Sequence, residues 1–423
     1  MWLPNRLAPK GEFGKNVLVV FSGAALGQIA TLATAPLLSR LYSASDFGVC
    51  AVFLALVQIL GSIASAKYEM AINIPAQESE AQELLRLGIY TSVATSALLS
   101  IIAIATILLG IKFAALEELG NWLLAVPVGV FLTGTSLTVG AYCNRKKLFA
   151  LQARIGVIKV LSTNTLSVLL AIIGMSWKGL ILGSILGQIL GTLFLVWQLR
   201  KEGVGLTNLN WQALKTVSGR YARFPRYLIP SGFIETGCIQ LPVLLFGHFY
   251  GMQTVGHFSF ATRLINLPLA LLGKSFGDVF KQSASERINS EGNCSLLFRS
   301  TARRLGIISI PLGVGLMLSP ALFSFVFGDQ WREAGVFAQI LAGMFVVRFI
   351  SNPLSVLFYL REQQHLDLVI QCVVMICLSL VLTLIGSNHI TVRWAVAAYA
   401  VIYAVKYLYE YHISEKLSKN INV

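Results

Sequence analysis

Charge is scarce in this chain. Asp, Glu, Lys and Arg make up 12% of its 423 residues, against about a quarter in soluble domains. Acids are scarcer than bases, 19 against 33, and the first six apolar runs hold no convincing mid-run carboxylate. No Gly-x-x-x-x-Gly-Lys-Ser/Thr phosphate loop and no His-Glu-x-x-His zinc pair occurs, so nucleotide hydrolysis and zinc chemistry lack their residues. The six cysteines (Cys50, Cys143, Cys238, Cys294, Cys372 and Cys377) are scattered, mostly within apolar runs. They form neither a metal-like cluster nor a disulfide framework, and no metal or cofactor is expected. The polar breaks on one side of the chain's apolar runs are all short. None could fold as a catalytic domain, which counts against a glycosyltransferase or polymerase working through a large outer loop.

What the chain has in abundance is apolar length. Hydrophobic residues make up 56% of it and the mean hydropathy is +0.72. They gather in runs of about twenty, the length of helix that crosses a hydrocarbon layer about 30 Å thick. The expectation is an all-α polytopic membrane protein with about twelve spanning helices. They lie over residues 16–38, 47–66, 87–110, 121–143, 155–175, 179–198, 227–250, 254–282, 305–327, 336–360, 368–385 and 394–412. The first run is too long for a signal-peptide core and shows no clear cleavage site, so it reads as a retained helix. The net charge of +14 does not mark a nucleic-acid binder, because the bases sit between spans rather than on one soluble face. It orients the spans instead. With the N-terminus cytoplasmic, only Arg40, Lys112, Lys178, Arg332 and Arg393 of the 33 basic residues fall in outside loops, as the positive-inside bias requires. An even number of spans returns the C-terminus to the cytoplasm.

The largest polar break, Arg200 to Arg226, carries Lys201, Lys215, Arg220 and Arg223 and divides the spans six and six. This predicts an N-terminal six-helix lobe over 1–200, a cytoplasmic linker over 201–226 with a surface helix around Trp211 to Tyr221, and a C-terminal six-helix lobe over 227–423. A weak internal repeat agrees. Pro36, a break and Gly48-Val-Cys-Ala-Val open one half; Pro242, a break and Gly256-His-Phe-Ser-Phe open the other. Some transporters are built from such parallel repeats.

A charge within a span costs roughly 2.5–3.5 kcal/mol on insertion scales and calls for a reason. Arg263 lies too deep in the eighth span for easy snorkelling. On an uninterrupted helix turning about 100° per residue, Arg263 and Lys274 point within about 20° of each other, and Asp278 and Lys281 continue the stripe. Such a seam suits a water-filled cavity between the lobes; alternatively Lys274 and Lys281 snorkel and Arg263 pairs with one carboxylate. Arg348 lies mid-way along the tenth span and Glu235 in the seventh. Guanidinium binds phosphate oxygens through a bidentate fork, so Arg263, Lys274 and Arg348 are candidates for receiving an anionic substrate, with a buried Arg–Glu pair as the plain alternative. Arg40 and Asp46 flank a tight turn and read first as a salt bridge. Arg40 is also a candidate for the cationic site. Lys67, with Glu69, either rims the cytoplasmic entrance, again as part of that site, or faces water. Lys159 and Lys406 lie near cytoplasmic ends and read as snorkelling. Glu235 and Asp278 are the candidate ion-coupling carboxylates, since burial favours the protonated form of an acid.

The stretch Pro36-Leu-Leu-Ser-Arg-Leu-Tyr-Ser-Ala-Ser-Asp-Phe-Gly48 resembles the early motif of bacterial polysaccharide flippases. The Lys67-Tyr-Glu-Met-Ala71 break with Glu78, Glu80 and Glu83 fits the same group, as does Gly256-His-Phe-Ser-Phe-Ala-Thr-Arg-Leu-Ile-Asn-Leu-Pro268. With the six-plus-six layout, nearly the whole chain is similar to the O-antigen (Wzx-type) branch of the multidrug/oligosaccharidyl-lipid/polysaccharide (MOP) exporter superfamily. The resemblance implies a flippase, not an enzyme, in the bacterial inner membrane. It would carry an undecaprenyl-pyrophosphate-linked oligosaccharide, an O-antigen or similar surface-polysaccharide unit, from the cytoplasmic to the periplasmic leaflet by alternating access. Its expected partners are membrane lipids, a polysaccharide polymerase and glycosyltransferases. Related lipid II flippases use arginines in a cationic central cavity, and Arg263 matches that eighth-helix position; those relatives have two helices that this chain lacks. The nearest rival is a MATE-like multidrug or cation antiporter of the same fold, which the missing carboxylates in the first six spans disfavour.

Overall fold

The computed structural model describes residues 12–110, 114–201, 204–205 and 210–419. Lys112, expected in an outside loop, lies outside the described residues. Every regular element among the described residues is helical. α1 (Glu12–Leu41) and α2 (Ala44–Gly61) are followed by a single turn over Tyr68–Met70, then α3 (Glu78–Leu108) and the short α4 (Ala114–Glu117). α5 (Ala125–Arg145), α6 (Phe149–Ile172) and α7 (Trp177–Lys201) come next. α8 (Trp211–Arg220) covers most of the expected surface helix and starts from an Asn210 side chain that accepts from Ala213 N, a common N-cap arrangement. The chain continues with α9 (Arg223–Tyr250), α10 (Met252–Pro268), a π turn over Leu269–Gly273 and α11 (Lys274–Glu291). Then follow α12 (Ser295–Gly315), α13 (Ser319–Phe327), α14 (Arg332–Leu354), the short α15 (Leu357–Leu360), α16 (Gln364–Ser387) and α17 (Val392–Ser418).

Among the described residues nine helical segments are long and apolar enough to cross a membrane. α1, α10 with α11, and α17 lie over the other three expected spans. The eighth of these, expected as one helix over 254–282, is broken. Pro268 has no N–H to give to the turn before it, and the backbone widens into the π turn immediately afterwards, as insertions at proline do. Large apolar side chains stand bare along the helices: Ile101 is 65% exposed, Leu108 80%, Ile172 70% and Phe325 85%. In water these would be a liability; in hydrocarbon they are solvated.

The chain divides into two compact units, residues 1–41 with 53–236 and residues 42–52 with 237–423. In the first unit α6 packs between α1 and α7, and α3 packs on α5. Gly183 and Gly187 of α7 meet Ser167 and Thr163 of α6 so closely that a Cβ at either glycine would overlap the facing hydroxyl. Small residues four apart let membrane helices approach in this way. Polar contacts gather at one end of this unit: Glu78 bonds Lys146 at 2.8 Å, Arg220 bonds Glu80 at 2.8 Å, and Arg86 donates to the Gly205 carbonyl at 2.8 Å. Through these bonds α3 holds α8 and the end of α5. In the second unit α14 is central, flanked by α10, α12, α13 and α17, with α16 on α17. Its core centres on Trp331, which is fully buried with Phe47 at 5.1 Å and Phe260 at 4.1 Å between ring centroids.

Candidate functional site

α10 is pinned at its start by two glycines. A Cβ at Gly256 would overlap the Ala44 carbonyl oxygen, and a Cβ at Gly48 would overlap that of Met252. The two contacts mirror each other under a single shift along the chain, so the glycines of the repeated segments are the points where α2 and α10 cross backbone to backbone. His257 Nε2 donates to the Gln330 carbonyl at 2.9 Å, which fixes the rotation of α10 about its axis. Arg263 follows Gly256 by two turns of helix and therefore lies on the same face, about 10 Å further along.

Arg263 is exposed although it sits deep among protein atoms. Among the described residues no carboxylate lies within ion-pairing distance of it, and the ionisable neighbour recorded for it is the buried Cys50 thiol. The expected alternative, a dry Arg–Glu pair, is not what surrounds this side chain. A deep, unpaired and accessible guanidinium can donate to two phosphate oxygens at once.

Past Arg263 the π turn changes the geometry assumed from sequence. A π turn takes roughly one more residue than an α turn, so residues beyond it are rotated by on the order of 100°. The single stripe through Arg263, Lys274, Asp278 and Lys281 therefore does not hold, because it presumed one uninterrupted helix. Lys274 opens α11, and its side chain lies outside the described residues. Asp278 and Lys281 are exposed on α11.

Arg348 is half-buried and braces α10. It donates to Asn266 Oδ1 at 2.7 Å, its guanidinium carbon lies 5.8 Å from the Tyr407 ring centroid, and its buried Nε has no partner. Asn266 is one turn from Arg263, so α14 holds the turn that presents it. On α17, Tyr399, Tyr403 and Tyr407 follow one another at 4.8 and 5.9 Å between centroids, and Tyr403 donates to the Cys238 carbonyl at 3.0 Å. Lys406 does not snorkel. It pairs with Glu410 at 2.9 Å, the two side chains being 15% and 6% exposed, because a buried acid one turn on offers a nearer partner than the headgroups. Sequence reading missed Glu410 and Asn266. The Lys406–Glu410 spacing of four residues was the available signal, whereas Asn266 carried none.

In the first unit, Arg40 is exposed at the end of α1. In the second, Asp46 accepts from Ser43 N at 2.9 Å and Ser43 Oγ at 2.6 Å, closing the turn before α2. Lys67 is half-buried with a left-handed backbone at φ 61°. Its side chain lies across Gly232 of α9, where a Cβ would come within 2.6 Å of the ammonium nitrogen. Glu235, one turn further along α9, is exposed. Lys67 thus lies against α9 one turn before Glu235, and no ion pair joins the two among the described residues. Glu69 is buried at 5% exposure and accepts from Ser65 Oγ rather than facing water.

Comparison with known proteins gives three findings. A family model described as polysaccharide biosynthesis protein matches residues 37–336. The teichuronic acid biosynthesis protein TuaB of Bacillus subtilis (strain 168) is 23% identical over 193 residues, 44% of this chain. That stretch spans only 38% of the relative's length. Among solved structures, the lipid II flippase MurJ in an inward closed conformation superposes with a TM-score of 0.73 at 14% identity, covering 96% of this chain and 90% of that one. An inward-facing multidrug resistance MATE family transporter of the MOP superfamily gives 0.63 at 15% identity over 93% of both chains. A MOP superfamily transporter from Pyrococcus furiosus gives 0.63 at 12% identity over 96% of both. At these identities the superpositions establish the fold, an all-α transporter fold of the MOP type.

Proposed function

Because the chain belongs to the polysaccharide biosynthesis protein family, we propose that it is a flippase, moving an undecaprenyl-pyrophosphate-linked oligosaccharide from the cytoplasmic to the periplasmic leaflet of the bacterial inner membrane by alternating access. The cargo is an O-antigen unit or a similar surface-polysaccharide repeat, and both termini of the chain lie in the cytoplasm. The observation that carries the reading is Arg263, a deep guanidinium that is accessible and has no acid beside it among the described residues. A diphosphate carries at least two negative charges and the sugars add hydroxyl groups, so neither crosses hydrocarbon unaided. Arg263 supplies the charge that lowers this barrier, with Lys274 as a second cation and Arg348 holding Asn266 and so the turn that presents Arg263. Arg40 and Lys67 are proposed as outlying cations on the route, and Glu235 and Asp278 as the ion-coupling carboxylates. The fold shared with a lipid II flippase agrees with a lipid-linked cargo.

Arg263→Ala tests this. In a strain lacking its flippase, the variant should insert at normal level yet fail to restore surface glycan, leaving single lipid-linked units on the inner leaflet. Normal glycan at normal expression would refute the proposal. Drug resistance on overexpression, unaffected by Arg263→Ala, would favour the antiporter reading.

A further inference from the structure

The second unit carries another pair of cations, remote in sequence from Arg263 and unused by the reading above. Arg299 and Arg303 stand one turn apart on the same face of α12 and are both exposed. They rim a groove of about 400 Å³ walled by Ala302 of α12, Val347 and Ile350 of α14 and Leu408 of α17. Tyr411 completes the rim, its ring 5.2 Å from Phe298.

The protein satisfies these arginines only in part. Arg299 reaches Glu415 only at 3.5 Å, while Lys419 holds the same oxygen at 2.9 Å. Among the described residues no carboxylate lies within ion-pairing distance of Arg303. Along the same face the chemistry changes abruptly: Ile307, Ile310 and Val314 are 64%, 56% and 65% exposed. From Arg303 to Val314 the helix rises about 16 Å, close to half of a hydrocarbon layer about 30 Å thick. Two guanidinium groups therefore stand at headgroup depth, followed by the apolar length of one leaflet. The α12 end and the α17 end are joined by Cys294 N donating to the Ser418 carbonyl at 2.9 Å, so the groove mouth is a fixed structure.

We propose that this groove binds one anionic glycerophospholipid of the surrounding bilayer, with its phosphate on Arg299 and Arg303 and one acyl chain along Ala302, Val347, Ile350 and Leu408. A net negative headgroup suits one guanidinium group without an acid among the described residues, Arg303, beside another, Arg299, that shares Glu415 with Lys419 at long range, and the groove's apolar walls suit a hydrocarbon chain and no soluble ligand. Arg304 is exposed beside the pair but does not line the groove, which makes it an internal control for diffuse charge.

The test uses the purified full chain in detergent, titrated with phosphatidylglycerol, phosphatidylcholine or undecaprenyl phosphate, with bound lipid counted by native mass spectrometry. One phosphatidylglycerol should bind in preference to phosphatidylcholine. Arg299→Ala combined with Arg303→Ala should weaken it about thirtyfold, the combined effect of two cations at an anionic surface. The neutral, still polar Arg303→Gln alone should weaken it about fivefold, and Arg304→Ala by less than about threefold. Equal affinity for phosphatidylcholine, equal loss on Arg304→Ala, tighter binding of undecaprenyl phosphate than of phosphatidylglycerol, or unchanged binding in Arg303→Gln would each overturn the proposal.

Discussion

Removing the acid of the Lys406–Glu410 pair should destabilise the second unit far more than removing the whole pair. The ammonium and carboxylate lie 2.9 Å apart with side chains 15% and 6% exposed. At an effective dielectric of about 20, opposite unit charges at that distance attract by about 6 kcal/mol. Desolvation of the two ions takes back several kcal/mol each, so the intact pair is worth little in net terms. Half of it is a different matter. Glu410→Gln leaves the ammonium with the Tyr407 ring, 4.6 Å from its centroid, and Asp367 of α16 as a weaker acidic neighbour. The expected loss is about 3–5 kcal/mol, measured as the free energy of unfolding in mixed detergent micelles. Replacing both, Lys406→Met with Glu410→Leu, should return stability to within about 1 kcal/mol of the parent, since neither charge then needs a partner. If Glu410→Gln unfolds within about 0.5 kcal/mol of the parent, the ammonium keeps its hydration and the pair is not desolvated.

Gly256→Val should abolish folded protein or lower its thermal midpoint steeply, because any Cβ there overlaps the Ala44 carbonyl and backbone cannot rotate away as a side chain can; Gly219→Val, which meets open space, is the matched control in a fluorescence-monitored size-exclusion assay. The Lys419 hydrogen bond, opposed by burial and helped by Arg299, holds the Glu415 carboxyl below its usual range. Its folded value is thus lower than its unfolded one, so the stabilisation is complete above about pH 4.3 and fades as pH falls further. Glu415→Gln should flatten the fall of the thermal midpoint below that pH, and an unchanged slope would count against the pairing.

Much of the fold was legible in the sequence because hydropathy is a sum over neighbours along the chain. Every expected span has a helix lying over it, and the break between Arg200 and Arg226 contains α8. The glycines of the repeat, Gly48 and Gly256, were visible as a pattern, though not as the crossing of α2 and α10. The π turn was not legible. Pro268 marks a place where a helix can kink, but whether it continues as α, bends or widens depends on what packs against it, and the stripe arithmetic failed there. Lys406 was misread for a related reason: the span's hydropathy says how far the headgroups are, while the burial of Glu410 at 5% exposure comes from helices distant in sequence.

Composition and charge placement were enough to make this a helical membrane protein with no nucleotide loop, zinc motif or disulfide framework, since partition into hydrocarbon depends on local averages that folding does not alter. Which cations are free and which are held was settled only by packing. Arg348 meets Asn266 across 82 positions while Arg263, on the same helix as Asn266, is left without an acid among the described residues. The two arginines differ little in their local sequence. They differ in what the fold brings to within 3 Å of them, and a charge buried in a membrane protein takes its role from that contact.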